Sequence, residues 1–150
     1  MAVPSIKHAA LIFAATLLAG QVAAAGRLKV ERAWIRTAPP GATMLAGYAV
    51  LHNGGDEPVI VHAASSPDFG SVSLHETIEV DAVERMQPIE QVEVAPGASV
   101  TFAPGGKHFM LMRPSRSLAS GAAVTIHLDT NDSKGVDASF VVSEDEPAGH

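Results

Sequence analysis

His108 and Met110 stand two residues apart in the stretch Gly105-Gly106-Lys107-His108-Phe109-Met110-Leu111-Met112, which sets an imidazole and two thioethers at alternate positions. In a β-strand alternate side chains share a face, so His108 and Met110 point the same way with Cα atoms roughly 6.7 Å apart. Both can then grip one ion. Thioether sulfur is a poor ligand for hard cations such as calcium or magnesium, whereas sulfur together with imidazole suits copper, above all Cu(I). The opposing fact is that Met and Phe in a strand more often fill a core, and His-x-Met by itself recurs by chance.

The other donors sort by their surroundings. After residue 25 the methionines are Met44, Met86, Met110 and Met112, and the histidines are His52, His62, His75, His108, His127 and His150. His127 shares a face with Thr125 and Asp129, away from Ile126, and reads as a solvated surface residue. His52 and His62 follow apolar runs at strand ends, His150 ends the sequence with no neighbouring donor, and Met44 beside Pro39-Pro40-Gly41 reads as packing filler. His75 lies on the polar face of Ser71-Val72-Ser73-Leu74-His75-Glu76-Thr77, opposite Val72 and Leu74. What remains is His75, Met86 and His108 with Met110, whose strand neighbour Met112 is sterically eligible as well.

Ten residues separate His75 from Met86, twenty-one separate Met86 from His108, and one separates His108 from Met110. With Leu74-His75-Glu76-Thr77, Met86-Gln87-Pro88 and the stretch from Pro104 to Met112 around it, this pattern resembles the signature of the periplasmic PCu(A)C copper chaperones. The resemblance extends to Ala33-Trp34-Ile35-Arg36 and the strand from Tyr48 to Asn53. It implies that His75, Met86, His108 and Met110 hold one Cu(I) per chain on a cupredoxin-like β-barrel. It further implies delivery of copper to the copper-A centre of cytochrome c oxidase, or exchange with another periplasmic copper chaperone. Members often carry Asp-Gly where this chain has Asp81-Ala82. Some carry a His- and Met-rich C-terminal extension for a second copper, whereas here the tail holds the single His150, so no strong second site is expected.

The chemistry of the four residues agrees on its own terms. Two thioethers and two neutral imidazoles bring no negative charge, which serves a monovalent ion better than a divalent one. A filled-shell ion accepts tetrahedral donors without strain. Glu76, Glu79, Asp81 and Glu84 crowd the same region and either steer a partner or form a solvated hairpin edge. A general copper storage or tolerance protein could use the same donors, and a metal-free structural or interaction sandwich is the reading that stands if the four residues coincide by chance.

The elements that must position these residues read as strands throughout. Alternating or apolar runs occur at Leu28–Trp34, Leu45–Asn53, Glu57–Ala63 and Ser71–Thr77, and Ile78–Met86 can form a hairpin about Asp81-Ala82. Val92–Val94 and Ser99–Phe102 flank Pro96-Gly97, whose order suits a type II turn. The opening stretch, Val124–Asp129 and Val136–Val142 follow. No segment after residue 25 shows a sustained 3.6-residue apolar period. Eight or nine short strands predict an all-β fold, an antiparallel Greek-key barrel or sandwich in a single domain over residues 26–143, with a short polar tail over 144–150.

Composition bounds the rest. With 150 residues, 47% of them hydrophobic, one domain with a sizeable core is expected. A formal net charge of −6 and no Lys/Arg cluster argue against nucleic acid as a partner. Lys7, the apolar run Ala9–Gly20 and Ala23-x-Ala25 have the three parts of a signal peptide over residues 1–25, cleaved after Ala25 or one residue earlier. That run is shorter than the roughly 20 residues of a membrane span. The expectation is an exported, periplasmic protein with no stable membrane insertion. The sequence contains no cysteine, which excludes thiol redox chemistry and blue-copper electron transfer, both of which need a thiolate. Neither Gly-x-Ser-x-Gly nor His-Glu-x-x-His is present, so no hydrolytic machinery is indicated and a non-enzyme is expected.

Overall fold

The computed structural model describes residues 27–148, and the expected signal peptide and His150 lie outside them. The described residues form ten strands and no helix: β1 (Leu28–Arg36), β2 (Met44–Asn53), β3 (Val59–Ser65), β4 (Phe69–Val80), β5 (Val83–Pro88), β6 (Val92–Val94), β7 (Ser99–Phe102), β8 (Lys107–Pro114), β9 (Ala123–Thr130) and β10 (Val136–Ser143). Seven of them follow one another as β4-β8-β2-β1-β10-β9-β3, and the pairing of Ala64 on β3 with Val72 on β4 closes the ring. The remaining strands lie alongside it, β5 on β4, β6 on β3 and β7 on β2. The all-β barrel expected from the strand pattern is what forms.

One pairing departs from the antiparallel expectation. β1 and β10 run parallel, with Trp34 opposite Val141 and Ile35 opposite Val142. Parity requires it: around a closed ring of seven strands, directions cannot alternate at every junction. The strand ladder also starts later or runs longer than the hydrophobic pattern suggested in places. β3 begins at Val59, because Pro58 cannot donate to a ladder, and β4 extends to Val80, six residues beyond Leu74, because its last four residues are paired with β5 rather than with a barrel strand.

The turns have identifiable causes. Gly97 takes φ +70°, the left-handed geometry a type II turn needs at its third position, and Ala98 N–H donates to Ala95 O over 3.0 Å. Between β4 and β5 the two-residue loop Asp81-Ala82 takes φ +52° and +61°. Two consecutive positive values make the hairpin turn that matches the strand twist, so the loop forms with Ala where Gly would be unstrained. In β1, Arg32 at φ +48° sits in a bulge between Glu31 and Trp34. The extra residue resets the register so that Trp34 pairs with Tyr48, their rings 4.8 Å apart.

β8 is fixed in the barrel by its inward residues. Phe109 and Leu111 are fully buried. Phe109 stacks on Phe102 at 4.6 Å and meets Phe140 edge-on at 5.6 Å. Burial of such a side chain stabilises the fold by roughly 1.5–3 kcal/mol, and well-placed aromatic pairs add about 0.5–1.5 kcal/mol. Because β8 is pinned from inside, strand alternation turns His108, Met110 and Met112 to the outside.

Candidate metal centre

β8 lies between β4 and β2, and its ladder sets out the donors in rows. His108 is the direct partner of His75, Met110 is paired with Ser73 on one side and Ala46 on the other, and Met112 is paired with Ser71 and Met44. On the far side of β4, Met86 of the edge strand β5 is paired with Thr77, and Pro88 with His75. Cross-strand partners project from the same face. His75, Met86, His108 and Met110, singled out from the sequence, therefore share the outer face of one sheet region.

The two imidazoles face each other with ring centroids 5.9 Å apart and planes inclined by 29°. Metal–imidazole bonds are about 2 Å long, so this separation is within the span of one ion. The hydrogen bonds of the rings select which nitrogens are free. His108 Nδ1–H donates to Gly106 O over 3.2 Å, leaving a lone pair on Nε2. His75 Nε2 shares a 3.1 Å hydrogen bond with Ser73 Oγ, and in the tautomer whose Nε2–H is the donor, Nδ1 carries the lone pair. His75 Nδ1 and His108 Nε2 are both buried and have no hydrogen-bond partner. An unsatisfied buried polar atom costs about 1–3 kcal/mol, and two on neighbouring cross-strand rings mark a place for a shared acceptor of electron pairs.

Electrostatics favour the neutral form of His75. Burial, and then the neighbouring His108, hold the pKa of His75 below the ordinary histidine value. His108 itself is 5% exposed, one of three buried polar residues among those described. The other histidines have bland partners. His52 shares a hydrogen bond with Ser99 Oγ, His62 Nε2 lies 3.2 Å from Thr130 O, and His127 sits between Asp137 at 2.5 Å and Asp129 at 3.4 Å. Among the described residues no group of three or more His, Asp or Glu side chains is placed to hold a metal.

His108 and Met86 also line an open cleft of about 340 Å³, walled by Arg36, Ala46, Tyr48 and Thr77. The Arg36 guanidinium lies over Trp34 and Tyr48, 5.5 and 5.7 Å from their ring centroids, an arrangement that holds a cation against aromatic faces. A larger hollow of about 670 Å³ lies at Pro39-Pro40 and Arg113–Ala119, but it contains neither His nor Met. Ser73, Gly106 and the Arg36 stack were not marked by the donor pattern. Ser73 and Gly106 each stand two residues before the histidine they orient, which is a signal the sequence carried.

A family model described as "Putative lipoprotein LpqE-like" matches residues 28–142. The chain belongs to the LpqE-like family. One curated relative of this LpqE-like chain, "Putative lipoprotein Lxx21020" of Leifsonia xyli subsp. xyli, is 32% identical over 106 residues, an alignment that covers 70% of this chain but 63% of the relative. Solved structures similar to it include the copper-bound PCuAC domain from PmoF2, with 27% identity and a TM-score of 0.66 over 80% of this chain and 95% of that one. The apo PCuAC domain from PmoF1 shares 28% identity with a TM-score of 0.66, covering 80% of this chain and 96% of its own. The solution structure of the Cu(I) form of DR1885 from Deinococcus radiodurans shares 28% identity with a TM-score of 0.58, covering 85% and 87%.

Proposed function

We propose that this protein is an exported Cu(I) carrier in which His75 Nδ1, His108 Nε2 and the sulfurs of Met86 and Met110 hold one ion. The observation that supports it most directly is the pair of buried, unpartnered nitrogens on the two cross-strand rings of β4 and β8. The neutral donor set favours a monovalent soft ion, and the similarity to copper-bound PCuAC domains points the same way. Export is proposed from the residue 1–25 pattern, with the periplasm as the compartment. No helix among the described residues is long and apolar enough to cross a membrane.

Carriage needs release as well as capture. Met86 is 60% exposed on an edge strand, so its sulfur can leave the ion to a donor atom of the acceptor while the two histidines and Met110 still hold it. Copper then passes by ligand exchange without becoming a free ion, and no bond in a substrate is made or broken. The acceptor proposed is the copper-A subunit of cytochrome c oxidase or another periplasmic copper protein. Anaerobic titration with Cu(I) against a chromophoric competitor tests the reading: one tight equivalent supports it, and no competition with the chromophore contradicts it. Transfer of Cu(I) to an apo copper-A domain, read as copper recovered with that domain after the two proteins are separated, tests the acceptor separately.

A further inference from the structure

Every methionine among the described residues, Met44, Met86, Met110 and Met112, lies on the outer face of the β5-β4-β8-β2 sheet, and none is in the hydrophobic core. That placement inverts the usual role of methionine as core filler. Met86 and Met110 are accounted for by the site described above. Met112 and Met44 are not.

These two are direct cross-strand partners on β8 and β2, so their Cβ atoms lie roughly 4.5–5.5 Å apart and their flexible thioethers can meet on one ion. Met112 is half-buried and Met44 is 45% exposed, which leaves the pair open to solvent on its outer side. Met112 also follows Met110 on the same face at the next alternate position, roughly 6.7 Å along the strand. The neighbours that flank this thioether row, Ser71, Ser73 and Ala46, are small and do not cover it. No protein carboxylate, thiolate or imidazole is paired with Met44 or Met112, so the donors there suit only a soft cation.

We infer that Met112 and Met44 form a second, weaker site for a soft monovalent cation, Cu(I) or Ag(I), contiguous with the first through Met110. The inference shares the donor chemistry of the proposed function but rests on different residues. Two sulfurs hold an ion less firmly than two sulfurs and two imidazoles, so the pair serves as a station through which an ion reaches or leaves Met110.

The test is a titration with Ag(I) of protein carrying ¹³C-labelled methionine methyls, each resonance assigned by its Met→Leu variant. The first equivalent is expected to move Met86 and Met110, and further Ag(I) to move Met44 and Met112 together with an affinity roughly a hundredfold or more weaker, since each tenfold corresponds to about 1.4 kcal/mol. Met44→Leu, at an exposed position, is expected to leave the Met110 response unchanged and to weaken the Met112 response at least about tenfold. Met44 and Met112 methyls that stay fixed while Met86 and Met110 move would overturn the inference alone, as would a Met112 response indifferent to Met44→Leu or one that saturates with the first equivalent. Movement of Met44 and Met112 with Met86 and Met110 fixed would support it and overturn the proposed function.

Discussion

His75 and His108 are cross-strand partners that each carry a buried ring nitrogen without a hydrogen-bond partner, Nδ1 in one ring and Nε2 in the other. Each ring's second nitrogen is occupied, by Ser73 Oγ and Gly106 O. Among the described residues, these two are the only histidines with a buried ring nitrogen that lacks a partner. The arrangement fixes what should be perturbed, and how.

Met110 and Met112 share a face but not a row. Met110→Leu is a near-isosteric change costing under about 1.5 kcal/mol in folding, and it is expected to lower Cu(I) affinity at the first equivalent at least about tenfold. Met112→Leu should leave the first equivalent unchanged. Competition titrations of both variants decide the matter, and damage from Met112→Leu with a silent Met110→Leu would reverse the assignment.

The hydrogen bond between His75 Nε2 and Ser73 Oγ orients the ring, and with Nε2–H as its donor Nδ1 is left with the lone pair. Outer partners of metal-binding histidines typically contribute about 10–100-fold to affinity, so Ser73→Ala is expected to weaken Cu(I) binding by about tenfold with little change in the unfolding midpoint. Ser73→Thr keeps the hydroxyl and should restore most of the loss. An affinity unchanged in Ser73→Ala would show that the hydroxyl does not set the ring.

Protons compete with Cu(I) for the imidazoles. Because burial and then His108 depress the pKa of His75, its nitrogen stays available below the ordinary histidine value of about 6.5. The His75 contribution to Cu(I) affinity should thus hold through that pH and fall at lower values. The sign for the apo protein follows from the same shift. The unfolded chain binds the proton more readily, so the stability associated with neutral His75 is present above about 6.5 and is lost as pH falls through the lower folded value. Chemical denaturation at a series of pH values, with His75→Gln for comparison, should show a smaller acid loss in the variant. An identical loss would remove His75 from the account.

Ala82 takes φ +61° in the hairpin that carries Met86. Left-handed geometry costs a non-glycine residue roughly 1–2 kcal/mol, partly offset by the extra freedom glycine brings to the unfolded chain. Ala82→Gly is expected to raise stability by about 0.5–1 kcal/mol, read as a higher denaturant midpoint at constant slope. A lower midpoint would mean that the turn is not strained as described.

Much of this was legible in the chain. Alternation at His108, Met110 and Met112 against Phe109 and Leu111 fixes both the inward pair and the outward donors, because a strand buried on one face leaves no other register. The place of Asp81-Ala82 was readable, although its geometry was not, since nothing local requires Ala to take positive φ. The parallel junction of β1 and β10 and the closure through Ala64 and Val72 depend on long-range pairing and ring parity, which no single segment carries. The cross-strand meeting of His75 with His108 belongs to the same class. Spacing named the residues, but only the β4–β8 register places one opposite the other. Met44 read as filler near a turn because its partner Met112 is distant in sequence.

The most direct test of the central claim is X-ray absorption at the copper edge on protein loaded anaerobically with one equivalent of Cu(I). The account predicts a reduced-copper edge and a coordination shell of two nitrogen and two sulfur donors, with one sulfur lost in Met110→Leu and one in Met86→Leu. A shell of nitrogen alone, or a sulfur count unchanged in both variants, would contradict it.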